Sequence, residues 1–234
     1  MKILSIIVPV YNEERTILQV IERLEASILP EGIDREIIII NDGSVDATRS
    51  LLEPISRRHT VIHSDNTGKG GAVRKGFHLS KGDFIVVQDA DLEQNPDDFG
   101  VLIAPILYRQ ADVVFGSRFM GAYKPLSLLM NIHYLMNKLF TVITNLLTGY
   151  KTTDVWTGYK MYSRNSLNGI LPHLCADGIE FELEVAIILG KKNYKVVDVP
   201  ISYVPRWYAE GKKTNWKQAL VSLWMLVKFS QRKY

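Results

Sequence analysis

Apolar residues occur along this chain in short blocks separated by polar turns, and the blocks switch between two periodicities. Ile3 to Val10 is a largely apolar run, and Arg35 to Asn41 holds four consecutive isoleucines before a turn cluster. Both predict strands buried on two faces, as a parallel sheet requires. Between them, Ile17, Val20, Ile21 and Leu24 fall at i, i+3, i+4 and i+7 with charges opposite, predicting an amphipathic crossover helix over Thr16 to Leu24. Asp46 is placed to cap a helix over Ala47 to Glu53 that Pro54 stops or kinks. The alternation continues with a strand at Val61 to His63, a helix at Gly70 to Leu79 and a strand at Asp83 to Gln88. A helix at Asp98 to Leu107 and a strand at Asp112 to Phe115 complete the series. Its physical solution is an α/β domain: a mostly parallel central sheet with right-handed crossovers and helices on both faces.

After Gly121 the pattern changes. Leu126 to Leu147 is apolar-rich but interrupted by Asn131, His133, Asn137, Lys138 and Asn145. A spanning helix needs about 20 predominantly apolar residues, so the reading is two amphipathic surface helices, lying in a membrane interface or packed on the domain. Strands follow at Tyr159 to Tyr162 and Tyr194 to Val204, with a helix at Phe181 to Leu189 between them. The last helix, Trp216 to Phe229, carries Leu220, Leu223, Trp224 and Val227 on one face.

Composition narrows the class. The 234 residues are 47% hydrophobic with a formal net charge of +3, which excludes a disordered or fibrous chain. A single domain over 1–234 is expected, large enough to bury roughly 70–75% of its extended surface. Cys175 is the sole cysteine, so no internal disulfide forms, and no stretch at Met1 to Pro9 reads as a secretory signal. The expectation is a cytoplasmic catalytic face. Charge is unevenly spread: Lys191 to Tyr234 has ten basic and two acidic residues, leaving 18 basic against 23 acidic elsewhere. The basic amphipathic C-terminal segment, 212–234, therefore suits an anionic partner. Nucleic acid is not favoured, because no stacking strand or helix-turn-helix pattern accompanies the charge.

Ligands of open α/β sheets bind beyond the carboxyl ends of the strands, and the polar clusters sit there: Pro9-Val-Tyr-Asn-Glu13, Asn41-Asp-Gly-Ser44, Asp89-Ala-Asp91 and Gly116-Ser-Arg118. Two neighbouring carboxylates, Asp89 and Asp91, repel unless a cation separates them, and hard oxygen donors suit Mg²⁺ or Mn²⁺, ions that also hold substrate phosphates. Glu93 could add a third oxygen. Asp42 reads either as a turn residue capping the next helix or as an acceptor for a base or ribose. The glycines of NTGKGGAVRKG do not match the P-loop spacing. They let a helix start close to a nucleotide, with Lys69 a surface lysine or, with Arg74, a secondary anion contact.

Together, IIVPVYNEE, NDGS, GKGGAVRKG, DADLEQNPDD, GSRF, TDVWTGYKMYSR and FELEVA through DVPISYVPRWYAEGKK resemble glycosyltransferase family 2 over nearly the whole chain. The resemblance is strongest to the dolichyl- and polyprenyl-phosphate hexosyltransferases. It implies a GT-A fold, a nucleotide-sugar donor of the GDP-mannose or UDP-glucose type, a divalent cation and inversion at the anomeric carbon. By the same resemblance Pro9, Tyr11 and Glu13 contact the nucleoside and Asp42 reads the base. Asp89 and Asp91 bind metal and diphosphate, Ala90 lines the donor site, and Glu93 replaces a frequent glutamine metal ligand. Arg118 and Arg206 hold phosphates, and Lys212 or Lys213 belongs to a donor-covering loop. Mannose synthases of this type carry an acceptor-side arginine, but no arginine occurs between Phe119 and Tyr162. His133 or Lys138 is the substitute available. Asp154, before the glycine-aromatic strand, reads as a turn residue bonding backbone rather than a catalyst.

These readings converge on transfer of a hexose to a polyprenyl or dolichyl phosphate at the cytoplasmic face of a membrane, with the chain bound peripherally. Two alternatives stand beside it. One is a soluble family 2 enzyme acting on a glycan hydroxyl, and the other a non-catalytic nucleotide-sugar-binding protein.

Overall fold

The four isoleucines divide their side chains between two helical layers. Ile37 and Ile39 enter one core cluster and Ile38 and Ile40 the other, as strand alternation dictates. The computed structural model describes residues 1–121, 128–205 and 216–232, with side chains except those of 128–133 and 216–220. Strands β1 (Lys2–Val10), β2 (Ile33–Asp42), β3 (Thr60–Ser64), β4 (Phe84–Val87), β5 (Val113–Ser117), β6 (Lys160–Ser163) and β7 (Val196–Pro200) form one seven-stranded sheet. Its order is β3-β2-β1-β4-β6-β5-β7. All neighbours run parallel except β6, which is antiparallel to both β4 and β5.

The helices are α1 (Ile17–Ala26), α2 (Thr48–Leu52), α3 (Lys69–Leu79), α4 (Phe99–Leu107), α5 (Leu128–Thr148), α6 (Arg164–Ile170), α7 (Phe181–Lys191) and α8 (Trp216–Gln231). One face of the sheet is covered by α1, α2 and α4 through Ile17, Val20, Leu52, Phe99 and Leu102. The other is covered by α3, α6 and α7, with Phe140 of α5 and Leu226 and Phe229 of α8 joining the same cluster. Each fully buried large apolar side chain contributes about 1.5–3 kcal/mol relative to exposure. Helix α2 starts one residue later than expected, at Thr48 with Ala47 as its N-cap, and Asp46 Oδ1 accepts from the Thr48 amide at 3.0 Å. Pro54 is followed by a 3₁₀ turn over Ile55–Arg57. The unanticipated α6 begins at Ser163, whose hydroxyl accepts from the Ser166 amide.

The expected pair of helices over Leu126 to Leu147 is one continuous helix, α5, of 21 residues; Leu126 itself lies outside the described residues. The polar residues do not break it because they face the protein. Asn137 is 9%, Thr141 3% and Thr144 0% exposed, while Leu135, Leu139, Val142 and Leu146 are 64%, 51%, 55% and 81% exposed. Asn145 exchanges two bonds with the backbone of Thr152. The usual polarity is inverted. On α8 likewise, the expected stripe points outward at Leu223, Trp224 and Val227, whereas Ser222, Leu226 and Phe229 are buried. Leu220 lies outside the described side chains. No helix among the described residues is long and apolar enough to cross a membrane.

Gly76 lets α3 lie against β1, since a Cβ there would come within 2.2 Å of Ile7 Cγ2. Gly76→Ala is therefore expected to destabilise the fold by about 1–3 kcal/mol through overpacking, read as a lower denaturant midpoint. An unchanged midpoint would show that the contact yields without strain.

Candidate active site

The carboxyl ends of β1, β2, β4 and β5 converge as the sequence motifs require. After β1, the Asn12 amide donates to Ser44 Oγ and the Val45 amide to Asn12 Oδ1, both at 2.9 Å, so the first two loops are stitched together. Asn12 has a φ of 54°, a left-handed conformation that asparagine tolerates. Pro9 is half-buried and Tyr11 is exposed beside it. Glu13 is anchored through its amide to Thr48 Oγ1, and its carboxylate accepts from Thr16 Oγ1 at 2.9 Å. Thr16 also donates to the Ala90 carbonyl, joining this loop to the one after β4.

Asp42 is buried, and its carboxylate accepts from the Thr67 amide, the Thr67 hydroxyl and the Gly68 amide at 2.8, 2.9 and 2.7 Å. Of the roughly four acceptor positions of a carboxylate, three are thus used to shape the turn before α3. That turn differs from expectation. The Gly70 and Gly71 amides donate to the Asp177 carbonyl, and a Cβ on Gly70 would meet Ala176 O at 2.3 Å. The glycines admit a neighbouring chain segment, and Arg74 pins that segment at the Ala176 carbonyl and the Asp177 carboxylate.

Lys69 is no surface lysine. Its Nζ lies 2.7 Å from Asp89 Oδ1 and 3.6 Å from Glu182 Oε1. Glu182, at the start of α7, pairs with the fully buried Lys160 of β6, whose ammonium also donates to the Val155 and Thr157 carbonyls. Burial alone would lower Lys69, but Asp89 and Glu182 hold it above the ordinary lysine range. Burial lowers Lys160 despite the pull of Glu182. Four charges of alternating sign therefore run from the interior to Asp89. Gly158 packs against this mouth, where a Cβ would sit 2.6 Å from Asp89 Oδ2. Gln94 brackets Asp89, accepting from its amide at 3.2 Å. Asp91 Oδ1 accepts from the Glu93 amide, while Glu93 Oε2 accepts from the Tyr203 hydroxyl at 2.6 Å.

At the end of β5, Arg118 grips Asp154 through Nε and Nη2 at 2.7 and 2.8 Å, and its amide also donates to that carboxylate. Asn137 Nδ2 adds a bond at 2.9 Å. Asp154 thus makes the expected bond to backbone, at the Arg118 amide, and is in addition an ion-pair anchor joining three segments. Burial would raise its pKa, but the Arg118 guanidinium pulls it below the usual carboxylate range. Lys138 Nζ donates to the Thr153 carbonyl and lies 4.6 Å from the Phe119 ring centre. Asp198 accepts from Thr152 and Thr153, fixing the strap that carries Asp154. Arg206, Lys212 and Lys213 lie outside the described residues, as does the side chain of His133.

The model of glycosyl transferase family 2 matches residues 5–171. The chain belongs to that family. This glycosyltransferase is 31% identical over 218 residues to an uncharacterised protein, MJ1222, of Methanocaldococcus jannaschii, covering 90% of this chain and 85% of that one. It is 29% identical to the UDP-N-acetylglucosamine–dolichyl-phosphate N-acetylglucosaminyltransferase of Methanococcus voltae, covering 92% and 90%. Its fold matches glucosyl-3-phosphoglycerate synthase of Mycobacterium tuberculosis, solved with Mn²⁺, UDP and glucosyl-3-phosphoglycerate, at a TM-score of 0.73 and 18% identity over 97% of this chain and 78% of that one. The architecture is the GT-A fold.

Among the described residues of the glycosyltransferase, no three His, Cys, Asp or Glu side chains converge as a metal cage. Asp89 is paired with Lys69 at 2.7 Å and Asp91 Oδ1 accepts from the Glu93 amide; as hard oxygen donors the two carboxylates are of the chemical type that suits Mg²⁺ or Mn²⁺ together with water and substrate phosphate. Sequence reasoning passed over Lys160, Glu182, Asn137 and Tyr203. A lysine inside an apolar strand and the glutamates Glu182 and Glu184 on a largely apolar helix were the available signals.

Asp154→Asn is expected to cost about 3–5 kcal/mol at pH 7, since it leaves Arg118 without its buried partner. Because the folded pKa of Asp154 is depressed, its contribution is complete above the unfolded value of about 3.9 and is lost as pH falls through the folded one. The gap between the denaturant midpoints of the two proteins should begin to narrow only as pH falls below about 4. Equal midpoints at pH 7 would remove Asp154 from its anchoring role.

Proposed function

We propose that this glycosyltransferase moves a hexose from a nucleoside-diphosphate sugar to a polyprenyl or dolichyl phosphate while bound peripherally to a membrane, with inversion at the anomeric carbon. The observation that carries the acceptor assignment is the inverted polarity of α5, with Leu135, Leu139, Val142 and Leu146 outward beside the Arg118–Asp154 anchor. The dolichyl-phosphate transferase named above supports the same acceptor class.

In this reading Pro9, Tyr11, Glu13 and Asp42 border the nucleoside, and Ala90 lines the sugar side of the donor. Asp89 and Asp91, with Glu93 behind them, would hold Mg²⁺ or Mn²⁺, whose chemistry there is to neutralise charge on the departing nucleoside diphosphate. Lys69 pairs with Asp89 and brings a cation to the same mouth. Arg118 orients the acceptor side, with Lys138 and His133 on α5 and Arg206, Lys212 and Lys213 as further phosphate-side cations. An acceptor phosphate oxygen forms the new bond to C1 as the bond from C1 to the diphosphate oxygen breaks. A phosphate monoester is largely dianionic at pH 7, its second pKa being about 6, so no side chain has to remove a proton. A glycan hydroxyl would need a carboxylate base within hydrogen-bond reach, and Glu182 is engaged by Lys160 and Lys69.

The deciding experiment offers GDP-mannose and UDP-glucose with polyprenyl phosphate and MgCl₂ or MnCl₂, reading the lipid product by mass. Asp91→Asn or a chelator should lower turnover by about 10²-fold or more. Transfer to free oligosaccharide with polyprenyl phosphate ignored would overturn the acceptor, and undiminished turnover without divalent ions would overturn the metal.

Membrane contact has its own check. Leu139→Glu and Trp224→Glu should each reduce co-flotation with acidic liposomes about tenfold or more, given the transfer energy of one large apolar side chain. Unchanged flotation would assign the outward stripes to another role.

A further inference from the structure

A line of contacts crosses from α5 to the loop after β4, drawing on five segments of the chain. Asn137 donates to Asp154 at 2.9 Å, and Asp154 accepts from Arg118 at 2.7 and 2.8 Å. The Arg118 guanidinium carbon lies 5.3 Å from the centre of the Tyr203 ring, within cation–π range. The Tyr203 hydroxyl donates to Glu93 Oε2 at 2.6 Å. Glu93 in turn donates its amide to Asp91 Oδ1 at 3.1 Å. The backbone reinforces the last link. Tyr203 forms an isolated antiparallel bridge with Gln94, and the Val204 amide donates to the Glu93 carbonyl at 2.9 Å. Tyr203 thus has its main chain paired with one half of the site and its ring and hydroxyl in contact with both.

We propose that Tyr203 is a positioning residue that makes the placement of α5 and the setting of the Asp91–Glu93 loop interdependent. Displacing Asn137 shifts Asp154, Asp154 re-aims Arg118, and Arg118 is held against the phenol that orients Glu93. Contact made at the outward face of α5 is thereby felt at the loop carrying Asp91. The inference rests on the proposed function only in naming that loop the donor side.

A double-mutant cycle on the full chain tests it, using Asn137→Ala, Tyr203→Phe and both together. Tyr203→Phe keeps the ring over Arg118 and removes only the hydroxyl, whereas Asn137→Ala removes a buried bond to the Asp154 carboxylate and should lower the melting temperature by a few degrees, so exchange at 91–95 is read against the sheet amides of the same variant. The first readout is amide hydrogen exchange of the ligand-free protein at residues 91–95. The expected result is that Asn137→Ala accelerates exchange there in the Tyr203 background and adds nothing in the Tyr203→Phe background. The second is calorimetric binding of UDP and of GDP with MnCl₂, where each single variant should weaken binding about threefold to tenfold and the double variant no more than Tyr203→Phe alone. Additive effects, or exchange at 91–95 unaltered in Tyr203→Phe, would overturn the coupling. Failure of the unsubstituted protein to bind either nucleotide would instead overturn the donor reading, and the exchange measurement would still decide the coupling.

Discussion

Lys160, Glu182, Lys69 and Asp89 form the interaction on which the site's geometry depends. A lysine with no exposed surface is stable only against a partner of opposite charge, and Glu182 supplies it at 2.5 Å. Glu182 then faces Lys69, and Lys69 faces Asp89. The four residues belong to β6, α7, α3 and the loop after β4, so moving any one of these elements leaves a desolvated charge unpaired. Position is thereby enforced on Asp89 from behind. Gly158 takes part sterically, because a larger residue would push into the same space.

The side of the site facing α5 is organised by a second ion pair. Arg118 and Asp154 satisfy one another bidentately, and Asn137 brings α5 onto the pair. This explains why α5 turns its polar residues inward. Thr141 accordingly bonds both Asn137 and the Val155 amide, and Asn145 holds the Thr152 backbone. With the polar groups consumed by the strap 152–155, the outer face is left to apolar residues, while Phe140 and Ile143 pack inward beside the polar ones. The same division recurs on α8, where Phe229 and Leu226 pack inward and Trp224 projects. Two helices with outward apolar stripes and a C-terminal region rich in lysine and arginine suit an anionic, partly apolar surface.

Much of the scaffold was legible beforehand because its signals are local. Ile37 to Ile40, the 3.6-residue spacing of Ile17, Val20, Ile21 and Leu24, and the strand ahead of Asp89 each report their own conformation. The motif segments also placed Asp89, Asp91, Arg118 and Asp154 at strand ends or loops. Partnership was not legible. Lys69 and Glu182 are separated by more than a hundred positions, as are Glu93 and Tyr203, and nothing in the local pattern of either says which opposite charge or hydroxyl it will meet. Asn137 and Asn145 were read as interruptions because a one-dimensional pattern cannot tell an inward polar residue from an outward one.

Sequence by itself determined the alternation of strands and helices as far as β5, the sheet class, the loops that carry carboxylates and the family, since periodicity and motif spacing are properties of neighbouring residues. Tertiary structure alone decided that Asp42 shapes the turn before α3, that the Gly70–Gly71 turn receives the 176–178 segment, and that α5 wears its apolar side outward. Those outcomes depend on which distant groups satisfy each buried charge and amide, and that pairing exists only once the chain has closed on itself.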